Sequence, residues 1–187
     1  MLTEASHGNL QAYLDSTTVI DDSLRWRWSV QAVEAVAFVH SKGVIHSDLR
    51  PENFLLHATN ETLLDLWLCD FGGARCDELG SNVVHLPDDP FFDPRMPWES
   101  TPATDIFSLG SIIYTIMTGC WPYRKGPAPV TEEEKTAYET EVYQKFLDGV
   151  FPDVSELRGG EVIKGCWDHQ YKTADEFLHA IQSVSNA

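Results

Sequence analysis

The sequence predicts a mainly α-helical domain with one small β-hairpin, and three observations lead there. Apolar residues recur at helical spacing in two long stretches, 24–39 and 105–118. Two tetrads of the form Thr-x-x-Glu, at 131–134 and 173–176, have the composition that opens a helix. Strand-like runs are confined to Phe54–Leu56 and Leu63–Cys69. At 187 residues, 43% of them hydrophobic, the chain can bury one substantial core. One domain, residues 1–187, is therefore expected.

Along the chain, Gly8-Asn9 reads as a loop that opens a short helix through Leu14, and Asp15 to Ser23 is polar and turn-forming. From Leu24, a helix is marked by Trp26, Val30, Val33 and Ala37, with Val36 and Val39 widening the stripe. A face that broad predicts burial on most sides. Gly43 lies just past its end, where a left-handed residue is wanted. The two strands follow, joined through Thr59-Asn60-Glu61 as a hairpin connection. Gly72-Gly73 opens an irregular stretch, and Pro87, Pro90, Pro94, Pro97 and Pro102 forbid continuous helix or inner strand across it. Asp105 to Thr118 is the second strong helix, closed by Gly119. Thr131 opens a third, with Tyr138, Val142 and Phe146 on one side, and Thr173 opens the last, through Phe177 and Ile181. Trp26, Trp28 and Trp67 are expected in the core.

Thirteen basic and 29 acidic side chains give a formal net charge of −16. Such a surface repels nucleic acid and anionic lipid, which both select clustered Lys and Arg, so neither nucleic acid nor membrane is an expected partner. No apolar run approaches the roughly 20 residues that cross a bilayer. The best candidate, Ile112 to Met117, is short and sits beside Gly110 and Gly119. The first seven residues lack the basic-then-apolar pattern of a signal peptide. Cys69, Cys76, Cys120 and Cys166 make no C-x-x-C pair, which points to reduced thiols rather than zinc or a disulfide framework. The expected compartment is the cytoplasm, with the nucleus left open.

The densest chemistry lies in His46-Ser-Asp-Leu-Arg-Pro-Glu-Asn53. It resembles the catalytic loop of protein kinases, H-R-D-L-x-x-x-N, with Ser47 in place of arginine and Arg50 where lysine is commonest. Asp70-Phe-Gly72 follows Asp48 by 22 residues, directly after the second strand. Asp105-Ile-Phe-Ser-Leu-Gly110, Ile113 to Gly119 with Pro122-Tyr123, and Cys166-Trp167 look like the family's central buried helix, the following turn and its last segments. The resemblance runs from about Gly8 to the end. It implies the α-rich large lobe of the kinase fold, with the hairpin carrying the catalytic loop (46–53) and Asp-Phe-Gly (70–72). The activation segment would occupy about 70–95.

The implied activity is transfer of the ATP γ-phosphate to a protein hydroxyl, and Pro-Glu-Asn after Arg50 leans towards Ser/Thr over Tyr. Such transfer needs metal ions that neutralise the phosphates and a carboxylate that receives the hydroxyl nucleophile. By resemblance, Asp48 is the base and Arg50 holds the transferred phosphate with a guanidinium suited to phosphate oxygens. Asn53 and Asp70 would supply oxygen ligands to Mg²⁺. Leu55 would form the floor beneath the adenine of ATP. His46 reads as a packed structural histidine rather than an acid or base. A small-molecule phosphotransferase shares a His-x-Asp…Asn loop but lacks the Pro-Glu-Asn, Asp-Phe-Gly and Asp-Ile-Phe-Ser-Leu-Gly set.

The sequence departs from the family pattern in three ways. It contains no G-x-G-x-x-G loop and no V-A-I-K-like lysine, so the small lobe is expected to be missing and the 187-residue chain to bind MgATP poorly. The alternative to an enzyme is then a pseudokinase or truncated lobe serving as a protein-binding module, with self-association through the surface that a small lobe would cover. Second, Ser47 cannot clamp a phosphorylated activation loop. The loop between Gly73 and Pro94 offers Ser81 as its one hydroxyl and Arg75 as its one Arg or Lys cation, so activity is expected to be independent of phosphorylation there. Third, Asp93-Pro-Arg95 stands where A-P-E is expected. That alignment implies a charge reversal and a rewired ion pair for Arg95, for which the late stretch offers Lys172, Asp175 and Glu176.

Overall fold

The structure, a computed structural model, describes residues 5–17, 19–60, 63–80 and 85–185. In chain order these form α1 (Leu10–Ser16), α2 (Asp22–Ser41), β1 (Val44–Ile45), β2 (Phe54–Asn60), β3 (Leu63–Leu68) and β4 (Arg75–Cys76). The second half holds α3 (Pro102–Thr118), α4 (Glu132–Leu147), α5 (Gly160–Trp167) and α6 (Ala174–Ser185). Six helices and two small two-stranded sheets make the helical lobe the sequence predicts, among the described residues.

Helix α3 is the axis, buried on nearly every side, its small polar residues Thr104, Ser108, Ser111 and Thr115 included. Ile106, Phe107, Leu109, Ile112, Ile113 and Ile116 are all buried. Thr101 caps it by a reciprocal pair of bonds with Thr104, and Pro102 takes the first turn, where a missing N–H costs nothing. The helix therefore starts three residues before the expected Asp105, and the proline read as a breaker is its opening residue. Helix α2 packs along α3, with Trp26, Trp28, Val33 and Val36 buried. It also starts early, at Asp22, because Asp21 accepts from the Ser23 amide at 2.8 Å and serves as the cap.

Helix α5 was not read from the sequence, and its glycines explain both why and what it does. Gly110 on α3 faces it, and a Cβ there would stand 2.7 Å from Cys166 Cβ. The two helices approach closely only because Gly110 has no side chain. Trp167 then fits beside α3 and its indole donates to Ser111 Oγ at 3.1 Å.

Strands β2 and β3 pair antiparallel, with Phe54 opposite Leu68, Leu55 opposite Trp67 and Leu56 opposite Leu66. The expected connection includes Glu61, which lies outside the described residues. Alternation corrects one expectation. Leu66 faces the core, so its neighbour Trp67 must face away; it is 38% exposed and stacks on His57 with ring centres 4.2 Å apart. A second pairing, β1 with β4, sets Ile45 opposite Arg75 and draws the residue before His46 against the segment that follows Asp-Phe-Gly. Two-residue strands carry no periodicity and were invisible in the sequence.

Candidate active site

The loop 46–53 is hung on one buried carboxylate. Asp105, in the first turn of α3, accepts from the amide of His46 at 2.8 Å and from the amide of Ser47 at 2.9 Å. Its Oδ2 also lies 2.8 Å from His40 Nε2 on α2. Asp105 is 1% exposed, and a carboxylate so placed is stable only with such partners. The bonds hold Ser47 at φ 74°, a left-handed conformation that a serine adopts only when its surroundings impose it. His46 is buried, with Nε2 2.9 Å from the carbonyl of Cys69. It thus ties this loop to the residue before Asp70, as a structural histidine does. Ser47 is buried too, and its hydroxyl accepts from Ser100 Oγ at 2.7 Å.

Asp48, Arg50 and Asn53 converge. Arg50 Nε donates to Asp48 Oδ1 at 3.1 Å, and Asn53 Nδ2 donates to the Asp48 carbonyl at 2.7 Å and to its Oδ2 at 3.3 Å. A 3-10 turn, Pro51–Asn53, makes this possible by folding the amide back over the loop. Asp48 keeps 17% of its side chain exposed and so stays reachable. His85 Nδ1 stands 3.6 Å from Asp48 Oδ2, and Arg50 Nη2 stands 3.6 Å from Asp88 Oδ2.

Asp70 lies at the end of the hairpin at φ 59°, exposed, with Oδ1 accepting from the Gly72 amide at 3.2 Å. Phe71 beside it is 45% exposed, its ring 5.0 Å from that of His46. Leu55 is half-buried, on the strand that also receives the main chain of residues 7–9: Leu56 donates to the Gly8 carbonyl at 2.9 Å and accepts from His7 at 3.0 Å. The donor set fits a hard divalent cation. The hydrogen bonds of Asn53 leave from its nitrogen, which turns its oxygen away from Asp48, and Asp70 presents a carboxylate. Among the described residues, no cluster of three His, Cys, Asp or Glu forms a site of its own.

Two expectations about the activation segment are corrected. The buried carboxylate near the end of that segment is Asp93 itself, fully buried, so no charge is reversed. Arg95 Nε and Nη2 donate to Asp93 at 2.9 and 2.8 Å, His169 Nε2 approaches it at 2.6 Å, and Arg95 also caps the Trp167 carbonyl at 3.0 Å. Burial raises the Asp93 carboxyl, but the bonds from His169 and Arg95 outweigh it and hold the pKa at about 2. The partner of Arg95 is two residues away, and Lys172, Asp175 and Glu176 take no part in the pair. Arg75, the local cation, is spent on Asp77 at 2.9 Å and on the Ser100 carbonyl at 3.1 Å. Ser81 lies outside the described residues.

Sequence reasoning missed the anchoring role of Asp105, although its signal was present: it is the lone charged residue in a helix of apolar and small uncharged residues. It also missed His85 and the Ser47–Ser100 bond, since neither pairing shows a spacing that a motif could register.

The family model described as protein kinase domain matches residues 1–181. The chain is similar to 3-phosphoinositide-dependent protein kinase 1 of Rattus norvegicus, 28% identical over 162 residues, covering 83% of this chain and 28% of that protein. It is 29% identical over 161 residues to the death-associated protein kinase related protein of Drosophila melanogaster, covering 84% of this chain and 23% of the relative. It is 32% identical over 124 residues to the probable serine/threonine-protein kinase zyg-1 of Caenorhabditis elegans, covering 65% and 18%. The chain thus spans less than a third of the length of these relatives.

Proposed function

Because this chain belongs to the protein kinase family, we propose that it forms the acceptor-side lobe of an enzyme that moves the γ-phosphate of ATP to a Ser or Thr hydroxyl of a protein. The observation that carries this reading is the convergence on Asp48: one arginine and one asparagine orient its carboxylate while the loop hangs from buried Asp105. In this reading Asp48 takes the hydroxyl proton as the acceptor oxygen bonds phosphorus and the bond to the ADP oxygen breaks. Arg50 swings between Asp48 and the phosphate oxygens and neutralises charge there. Asn53 and Asp70 hold Mg²⁺, which when bound neutralises the phosphates. Leu55 lies beneath the adenine. The catalytic loop is 46–53 and the activation segment about 70–95, all within one domain of residues 1–187. Arg75 is already engaged, so control by phosphorylation of the segment is not part of the proposal. Protein kinases as a family use ATP and Mg²⁺ on protein substrates. No helix among the described residues is long and apolar enough to cross a membrane, and we place the activity in the cytoplasm.

The exposed rings of Phe71 and Trp67 favour a second reading, a protein-binding module that covers these surfaces with a partner or a second copy. One experiment separates the two. In the chain joined to a kinase small lobe, Asp48→Asn should lower turnover by about 10²-fold or more with MgATP affinity nearly unchanged. Asp70→Asn should instead weaken Mg²⁺-dependent nucleotide binding in calorimetry. Equal losses of affinity in both variants would overturn the assignment, and no MgATP binding by the joined protein would leave the binding module as the function.

A further inference from the structure

The end of the activation segment meets α4 along a seam of carboxylates. Asp88 and Asp89 come from the segment, Glu139 and Tyr143 from α4, and the four share one cleft. Asp89 Oδ1 and Glu139 Oε1 are both closed off from water, and both lack a hydrogen-bond partner. Lys135 Nζ stands 3.1 Å from Asp88 Oδ2 and 3.6 Å from Glu139 Oε1. Among the described residues, no ion pair reaches Asp89. Two carboxylates at one seam, each with an oxygen neither hydrated nor bonded, repel one another and pay the full cost of desolvation. A single proton relieves both problems, because it removes one charge and supplies a donor where there is none.

We propose that the seam is a proton latch: with Asp89 protonated the segment stays docked on α4, and loss of that proton lets the stretch around Asp89 and Phe91 lift from the helix. The latch is a property of the fold and goes beyond phosphoryl transfer, since it needs neither nucleotide nor acceptor. It reaches the catalytic loop all the same. Asp88, the adjoining residue, has its Oδ2 3.6 Å from Arg50 Nη2 as well as against Lys135. A segment that lifts takes this outer contact away from Arg50.

The sign of the pH dependence follows from the surroundings of Asp89. Its burial, with Glu139, Asp88 and Asp93 as neighbouring negative charges, pushes its pKa up to about 7 from an ordinary 3.8. The charged and titratable groups facing it are Asp88 and Asp93 on its own segment, with Arg95 and His169 bonded to Asp93. From α4 they are Tyr138, Glu139 and Tyr143, with Lys135 beside Glu139. In the lifted segment Asp89 meets water and returns to the ordinary carboxylate range. The docked arrangement therefore holds the proton more tightly, loses ground as pH rises towards 7, and levels off above it.

Hydrogen exchange followed by NMR on the 187-residue chain tests the latch, read as protection factors so that the intrinsic pH dependence of exchange is divided out. The Phe91 amide, which donates to the Asp88 carbonyl at 3.0 Å, reports the segment, and amides of α3 report the core. Phe91 should be about a hundredfold or more less protected than α3, the mark of opening without unfolding. Its protection should fall about tenfold from about pH 6 to about pH 8. In Asp89→Asn, whose side chain cannot ionise, it should be high and flat across that range. Glu139→Gln removes a neighbouring charge and should cut the fall to about threefold or less, which keeps the test decisive even if Asp89→Asn folds poorly. Phe91 protection equal to that of α3, or unchanged with pH, overturns the inference. So does a tenfold fall that survives in both variants, as titration of His85 or His169 would produce.

Discussion

Asp105 and Ser100 hold the same loop by bonds of very different strength. Removing the Asp105 carboxylate leaves the buried amides of His46 and Ser47 without acceptors, and each orphaned group costs about 1–3 kcal/mol. Ser100→Ala removes a neutral hydroxyl pair at 2.7 Å, while Ser47 Oγ still donates to the Ile45 carbonyl at 3.3 Å. Urea denaturation should therefore show Asp105→Ala destabilised by about 3 kcal/mol or more and Ser100→Ala by about 1 kcal/mol. Similar losses in the two variants would mean that Asp105 is not the anchor.

At the scale of elements, the contact between α3 and α5 depends on an absent atom. Alanine at position 110 would gain about 1 kcal/mol of helix propensity. Its Cβ would also meet Cys166 Cβ at 2.7 Å, with Trp167 Nε1 at 3.3 Å, and overpacking costs about 1–3 kcal/mol. Cys166 and Trp167 are both fully buried, so neither can give way into solvent. Gly110→Ala should lower the thermal midpoint despite its better propensity, as calorimetry can check; an unchanged or raised midpoint would refute the close approach. The same contact shows where the sequence stopped being readable. Helices α2, α3, α4 and α6 were legible because each carries a periodic apolar face or a capping tetrad. Helix α5 has Gly160 and Gly165 within eight residues and no side-chain cap, so its helicity comes from packing on α3. The candidate site divides likewise. Asp48, Arg50, Asn53 and Asp70 lie within short motifs and were legible. Asp105, 57 positions beyond Asp48, reaches the loop only because α3 folds beneath it.

For the whole molecule, acidity and the two most strongly shifted carboxyls, Asp89 and Asp93, set the pH of greatest stability. Asp89 binds its proton more tightly folded than unfolded, with a folded pKa of about 7, so stability rises as pH falls through that value. Asp93 is the opposite case: its folded pKa of about 2 gives stability that is complete above the unfolded value of about 3.8 and is lost as pH falls towards 2. A net charge of −16 adds self-repulsion at neutral pH, which also relaxes on acidification. The urea midpoint should accordingly peak between about pH 4 and about pH 7, and Asp89→Asn should flatten the rise on the alkaline side of that peak. A maximum above about pH 8, a full unit past the higher of these pKa values, would contradict it. The anchoring of the catalytic loop has a consequence for how such a molecule fails. Because His46 and Ser47 are bonded to the first turn of the central helix, the loop has no separate way to fray while the core stands. Heat inactivation and loss of fold are then one cooperative event, and the site has no melting point of its own.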